Sequence, residues 1–281
     1  MKIRNMSTLD LEFAAKCTAG EGWLSETQIE FEGFLEHGPE GCFIVEEEQE
    51  PVGIGIATSY GSYGFIGELI VSQKFRGYGI GGQLLDHAVN YLRINGAQNI
   101  LLDGVLPAIS LYERAGFRKV CRSLRFMGKL EGALHTSVRA MRNEDLPEVK
   151  TLDLQGFGVD RSFFIERRLR LFPELSYVLE LEGEIAGFIL GRLGNGMVSA
   201  GPWVVRAEID QPEILLRSMA QECRNLPIAI GTLETNLQAV GILRSLGLSM
   251  NLSSPWRMVL GHQTKLGTSP MAYSIGSAAK G

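Results

Sequence analysis

Apolar residues at Ile80, Leu84, Leu85, Ala88, Val89 and Leu92 recur every three to four positions, the interval that lines one face of an α-helix. Upstream, the β-branched run ending at Val71 reads as a strand over Phe65 to Val71, entered from the turn Ser59-Tyr60-Gly61-Ser62-Tyr63-Gly64. Carried along the chain, the same reading gives a strand at Ile3-Arg4 and a helix capped by Ser7 or Thr8 and running through Cys17. Gly20-Glu21-Gly22-Trp23 breaks that helix, and Glu26 to His37 forms a second one. Cys42 to Glu46 and Val52 to Thr58 make a strand pair turning at Glu47-Glu48-Gln49-Glu50. Past the amphipathic helix come a strand near Asn99 to Asp103, a helix near Ala108 to Ala115 and strands from Phe117 to Lys129. The order βααβββαβαβ(β) is that of an α/β (α+β) domain.

The pattern then repeats. Ile3-Arg4-x-Met6-x-x-x-Asp10-Leu11 returns as Val138-Arg139-x-Met141-x-x-x-Asp145-Leu146, and Phe43…Glu50…Gly53 returns as Tyr177…Glu184…Gly187. Leu111-Tyr112-Glu113-Arg114-Ala115-Gly116-Phe117 returns as Ile242-Leu243-Arg244-Ser245-Leu246-Gly247-Leu248. Self-similarity at a spacing near 131 to 135 residues indicates two copies of one domain, joined near Glu131 to Thr136. The expected domains are therefore 1–131 and 137–281, and 281 residues suit two bodies of middling size.

Between Val71 and the amphipathic helix lies Ser72-Gln73-Lys74-Phe75-Arg76-Gly77-Tyr78-Gly79-Ile80-Gly81-Gly82. Glycines at a strand-to-helix junction let a ligand approach main-chain N–H groups, and the positive end of the helix dipole favours an anion there. Phosphate binding follows, and Gly77-Tyr78-Gly79-Ile80-Gly81-Gly82 matches the dinucleotide fingerprint G-x-G-x-x-G, with Asp103 about 20 residues on. Three features oppose a dinucleotide-dependent oxidoreductase: a polar stretch with Lys74 and Arg76 intervenes after the strand, about seventy residues of mixed structure precede the loop, and Leu111 to Phe117 has no part in that fold.

Arg76-x-x-Gly79-x-Gly81, followed some thirty residues later by Leu-Tyr-Glu-Arg-Ala-Gly-Phe, resembles the GNAT superfamily of acyl-coenzyme A-dependent N-acetyltransferases. The resemblance implies two tandem GNAT folds, each a mixed, mostly antiparallel central sheet flanked by helices and splayed at the coenzyme A strand. It implies that Arg76, Gly77, Tyr78, Gly79, Ile80, Gly81 and Gly82 hold the pyrophosphate of acetyl-coenzyme A, and that the splayed strand Leu69, Ile70 and Val71 bonds the pantetheine. A neutral amine would attack the thioester, strand donors would stabilise the oxyanion, and Tyr112 would protonate the departing thiolate. A phenol with an ordinary pKa near 10 suits that last step. Many relatives carry Asn seven residues before this tyrosine, where this chain has Val105.

The copies differ at the chemistry. Opposite Arg76 to Gly81 the second has Asp210-Gln211-Pro212-Glu213-Ile214-Leu215, which lacks the glycines and carries Pro212 and two carboxylates, and opposite Tyr112 it has Leu243. A carboxylate near a helix N-terminus competes with phosphate for the same donors, so the second domain is expected to be degenerate at the coenzyme A site. For the general base, Glu68 and Asp103 stand beside the splayed strand and at the end of its neighbour, with a water chain equally open; strand alternation expects a solvated Glu68. The Glu21-Gly22-Trp23 and Tyr60 to Phe65 loops are expected to shape the acceptor pocket.

Composition narrows the partners. A net charge of −5 argues against nucleic-acid and anionic-membrane binding. Cys17, Cys42, Cys121 and Cys223 form no C-x-x-C, and the four histidines are scattered, so no metal is expected. Without a signal peptide or long apolar run, the expected location is the cytoplasm. The expected partners are acetyl-coenzyme A as co-substrate and a small-molecule amine or peptide acceptor; a non-catalytic acyl-coenzyme A sensor remains the alternative.

Overall fold

The computed structural model describes residues 1–223, 225–262 and 266–281. The first half runs β1 (Lys2–Asn5), α1 (Leu11–Gly20), α2 (Gln28–His37), β2 (Cys42–Glu47), β3 (Glu50–Tyr60), β4 (Tyr63–Val71), α3 (Ile80–Ile94), β5 (Asn99–Gly104), α4 (Ile109–Arg114) and β6 (Arg118–Gly128). The second half runs β7 (Val138–Ala140), α5 (Leu146–Phe157), α6 (Ser162–Leu171), β8 (Ser176–Leu181), β9 (Glu184–Leu193), β10 (Val198–Val205), α7 (Glu213–Ala220), β11 (Ile228–Leu233), α8 (Leu237–Ser245), β12 (Ser249–Met250), β13 (Trp256–Leu260) and β14 (Ala272–Ser274). None of the described helices is long and apolar enough to cross a membrane.

The chain forms two compact units. One holds Met1–Val120 together with β13 and the segment Ala278–Gly281; the other holds Cys121–Pro255 together with β14. The first sheet is ordered β1-β2-β3-β4-β5-β13 and is antiparallel except where β4 meets β5. The second is ordered β6-β11-β10-β9-β8-β7, parallel only at β10 and β11, with β12 on β6 and β14 on β10.

Each unit therefore takes a strand from beyond the limit the repeat suggests. The units depart from 1–131 and 137–281 because β6 completes the second sheet and β13 the first. The cores show why. Leu124 and Phe126 of β6 pack with Ile228, Ile230 and Leu248 in the second unit, whereas Met258 of β13 packs with Leu102 and Tyr112 in the first. An alternating pattern states that a strand buries one face; it does not state in which sheet.

Helix α3 covers the first sheet with the stripe read from the sequence: Ile80, Leu84, Leu85, Ala88 and Leu92 are buried. Close approach requires small residues beneath it, and a Cβ at Gly64 would come within 2.7 Å of Leu92. Helix α1 packs against β3, β4 and α2. In the second unit Leu215, Leu216 and Met219 of α7 join Trp203 in the core.

The repeat is also visible in side-chain chemistry. Arg4 donates to Asp10 through both terminal nitrogens at 2.8 Å and through Nε to Glu46 at 2.6 Å. Arg139 makes the same fork to Asp145 at 2.7 and 2.9 Å and to Glu180 at 2.6 Å. In each copy the aspartate also accepts a backbone N–H, from Ser7 or Arg142, closing the turn that leads from the first strand into the first helix.

Candidate active site

The site of the first unit starts from a mismatch in one strand. Along β3, Ile54 faces Ile70 but Ile56 faces Gly67, so Glu68 and Leu69 together oppose Gly55. The extra residue is a β-bulge, and Glu68 takes up its geometry with a φ of 49°. On its other side β4 pairs with β5 only from Tyr63 to Ile66, against Asn99 to Leu102. Past Ile66 the two parallel strands part, and a notch opens at their C-terminal ends. The splay expected at Leu69, Ile70 and Val71 is present.

At the far end of β4 the chain turns into the glycine loop. Ser72 N–H still bonds Val52 O at 2.8 Å, and Arg76 Nε donates to Val71 O at 2.8 Å, which fixes the loop to the strand. Arg76 also forms an ion pair with Glu21 in the α1–α2 loop. Gly77 and Gly79 have φ of 88° and 82°, left-handed values that strain any side-chain-bearing residue. Gly79 caps α3, whose first internal bonds run from Gly82 and Gln83 to Gly79 O. The N–H groups of Gly79, Ile80 and Gly81 lie ahead of that ladder, as at any helix start. Tyr78 is exposed, while Gly81 and Gly82 sit over Leu111 of α4.

Through α4, Leu111 brings Tyr112 beside β5. The Tyr112 ring lies edge-on to Phe117 with centroids 6.2 Å apart, and it packs flat enough on Gly104 that a Cβ there would be 3.0 Å from the ring. Burial pushes the Tyr112 phenol up to about 12.

The two carboxylates considered as bases are both buried. Glu68 is 4% exposed, which corrects the expectation of a solvated strand carboxylate: the bulge breaks the alternation on which that expectation rested. Asp103 accepts a 2.6 Å bond from Arg257 Nε on β13, with side-chain exposures of 0% and 1%. It is one half of a buried ion pair.

On the α2 side the notch meets a segment that the sequence reading passed over. Ala279 is fully buried, and a Cβ on Gly67 would lie 2.3 Å from its Cα. Tyr60 Oη donates to Lys280 O at 2.8 Å, and Lys280 Nζ reaches Glu30 Oε2 at 2.8 Å and stands 4.6 Å from the centre of the Phe34 ring. Glu30 and Phe34 are four residues apart on α2, so the helical interval aligned them on one face; that signal was available. Nothing in the pattern of Ala278 to Gly281 marked them for burial. Of the loop aromatics, Phe65 is buried beneath the Arg257 guanidinium, 5.0 Å from ring centre, Tyr60 is nearly buried, and Trp23 and Tyr63 are half-buried.

The fold is shared with known proteins. Residues 7–117 match the Acetyltransferase (GNAT) family, and residues 149–271 match a second Acetyltransferase (GNAT) domain description. The chain belongs to the GNAT acetyltransferase family. It is a tandem GNAT protein, with two copies of the domain. It is 24% identical over 186 residues to an uncharacterized N-acetyltransferase, YitH, of Bacillus subtilis, an alignment spanning 63% of this chain and 64% of that one. Among solved structures, a putative acetyltransferase from Pyrococcus horikoshii superposes with a TM-score of 0.83 at 24% identity, covering 100% of this chain and 95% of its own. A tandem GNAT protein from the clavulanic acid biosynthesis pathway superposes with a TM-score of 0.63 at 14% identity, over 94% of this chain and 99% of its own.

In the second GNAT domain the corresponding notch is filled. Strand β10 pairs with β11 only from Val198 to Ala200, and a register shift follows before Trp203, so a parting of the strands recurs. Here β14 enters it: Trp203 and Val204 pair with Ser274 and Ala272, Val205 N–H bonds Met271 O at 3.0 Å, and Ile275 N–H bonds Gly231 O of β11 at 2.9 Å. Pro212 caps α7 where the first domain has a glycine, and Leu243 is fully buried. A cavity of about 760 Å³, lined by residues including Arg142, Glu144, Glu166 and Arg167, belongs to this domain and shares no residue with the β4–β5 notch. Among the described residues no group of three or more His, Cys, Asp or Glu could hold a metal ion.

Proposed function

We propose that the first GNAT domain transfers an acetyl group from acetyl-coenzyme A to a primary amine, a small molecule or a peptide, and that the second binds no coenzyme A. The observation that carries this reading is the coincidence of the β4–β5 notch with the glycine loop at the N-terminus of α3. A cofactor with a pyrophosphate at one end and an extended amide chain at the other fits these residues. Gly77 and Gly79 supply an N–H concavity without side chains, and the β4 edge beyond Ile66 is not covered by β5. Arg76 stabilises the loop from beneath through Val71 O and Glu21 and adds positive charge there.

Acetyl-coenzyme A supplies an activated acyl thioester. In the net reaction the amine nitrogen bonds the acetyl carbon, the carbon–sulfur bond breaks, and the proton lost by the amine balances the one gained by the thiol. In this reading Tyr112 keeps its proton at Oη through the working pH range, because burial raises its pKa, and gives it to the leaving sulfur. Glu68, buried at the bulge, is the candidate to accept the amine proton, directly or through water. Asp103 is a poorer candidate, because protonating it would break its bond to Arg257.

In the second domain β14 takes the strand edge that pantetheine would need, and Asp210 and Glu213 fall in the segment that corresponds in sequence to the glycine loop. The test is a panel of primary amines with thiol release as readout. Acetylation of at least one class with turnover supports the proposal; tight acetyl-coenzyme A binding with no thiol release from any amine would point to an acyl-coenzyme A sensor instead.

A further inference from the structure

We infer that Glu30, Phe34 and Tyr60 form a binding site for a lysine residue of a peptide, and that the chain fills this site with its own Lys280. Three recognitions converge on that residue. Its ammonium meets a carboxylate at 2.8 Å with side-chain exposures of 6% and 3%, so both charges are out of water. The ammonium also stands over the Phe34 ring at 4.6 Å, the arrangement by which an aromatic face selects a cation. Its backbone carbonyl accepts the Tyr60 hydroxyl at 2.8 Å. The first two contacts read an alkylammonium; the third reads a peptide bond, which a free amine or polyamine lacks.

The neighbouring backbone is accommodated as well. Gly67 opposes Ala279 with no room for a methyl group, 2.3 Å from a built Cβ to Ala279 Cα, so a glycine is needed there for the turn that carries Ala279 and Lys280 to lie against β4. Gly67 is the residue at which β4 parts from β5, one position before the bulge. The occupied site is therefore at the mouth of the notch, beside α2. A buried ion pair is a costly way to hold a short turn in place, since desolvating both charges offsets most of their attraction. A site built to select a cation accounts for the cost.

That this is the acceptor site of acetyl transfer rests on the function proposed above; the recognition of lysine does not. The experiment therefore measures binding. The probe is the acetylated, amidated peptide Ala-Ala-Lys-Gly, titrated calorimetrically into the full chain, into Lys280→Ala and into Glu30→Gln/Lys280→Ala. Lysine removal should tighten probe binding at least tenfold over the unaltered chain, and the added Glu30→Gln should reverse that gain. n-Pentylamine should bind Lys280→Ala at least tenfold more weakly than the peptide, a difference that Tyr60→Phe should erase. In the unaltered chain, Lys280 should resist isotope-labelled reductive methylation and become reactive as probe is added, a readout that needs no variant. No gain in Lys280→Ala, insensitivity to Glu30→Gln, or methylation of Lys280 unaffected by the probe would overturn the site. Equal affinity for n-pentylamine would overturn its assignment to a peptide. None of these results depends on thiol release, so the acetyltransfer reading stands or falls separately.

Discussion

Arg257 and Asp103, 154 residues apart in sequence, form a buried ion pair with Nε 2.6 Å from Oδ1. The pair ties β13 to β5 beside the notch and decides what Asp103 can do. Removing one member of a buried pair strands the other charge, which typically costs about 3–5 kcal/mol. Asp103→Asn should lower the unfolding free energy from urea denaturation by that much, and Asp103→Leu/Arg257→Met should recover most of the loss. An Asp103→Asn variant of undiminished stability would show that the pair carries little.

The Arg4 fork makes a pH prediction. Hydrogen bonding from Arg4 is the main reason the Asp10 carboxyl is lowered to about 2, with the Ser7 N–H adding to it. A carboxyl held below its unfolded value of about 4 stabilises the fold above that pH and loses its contribution as pH falls toward 2. Stability should therefore decline between pH 4 and 2, and Asp10→Asn should flatten that part of the curve. In the second domain burial opposes ionisation of Asp145, but Arg139 and the Arg142 N–H still hold its pKa down, so Asp145→Asn should act in the same direction. Unchanged slopes in both variants, followed by circular dichroism, would argue against the forks.

Tyr112→Phe should lower kcat about a hundredfold, the usual scale of a lost general acid, with little change in acetyl-coenzyme A affinity. Because burial pushes the phenol up to about 12, the unaltered protein should show no alkaline loss of kcat from this group below about pH 10. Full turnover in Tyr112→Phe would assign the ring to packing on Gly104 and Phe117.

The strand-to-helix loop, the amphipathic α3 and the tandem repeat were legible because each follows a local rule: glycine conformation, helical period and self-similarity. Glu68 was misplaced because alternation fails at a bulge, and a bulge is set by pairing with β3, which the strand's own sequence does not encode. The exchange of β6 and β13 escaped for a similar reason: Phe126 and Met258 look alike in pattern and differ only in which core receives them. Burial of Ala279 and Lys280 depends on Glu30 and Gly67, more than 200 positions away, and no local signal reports such a contact.

The proposal of one coenzyme A site per chain, in the first domain, can be tested by titration calorimetry with coenzyme A. The unaltered chain should bind with a stoichiometry near one. Gly79→Glu/Gly81→Glu should abolish binding, since Gly79 has a φ of 82° and added carboxylates occupy the phosphate cradle. Glu213→Gln/Leu215→Ala in α7 should leave affinity unchanged. Two sites per chain, or a loss of affinity on changing α7 equal to that on changing the glycines, would mean that the second domain also binds coenzyme A.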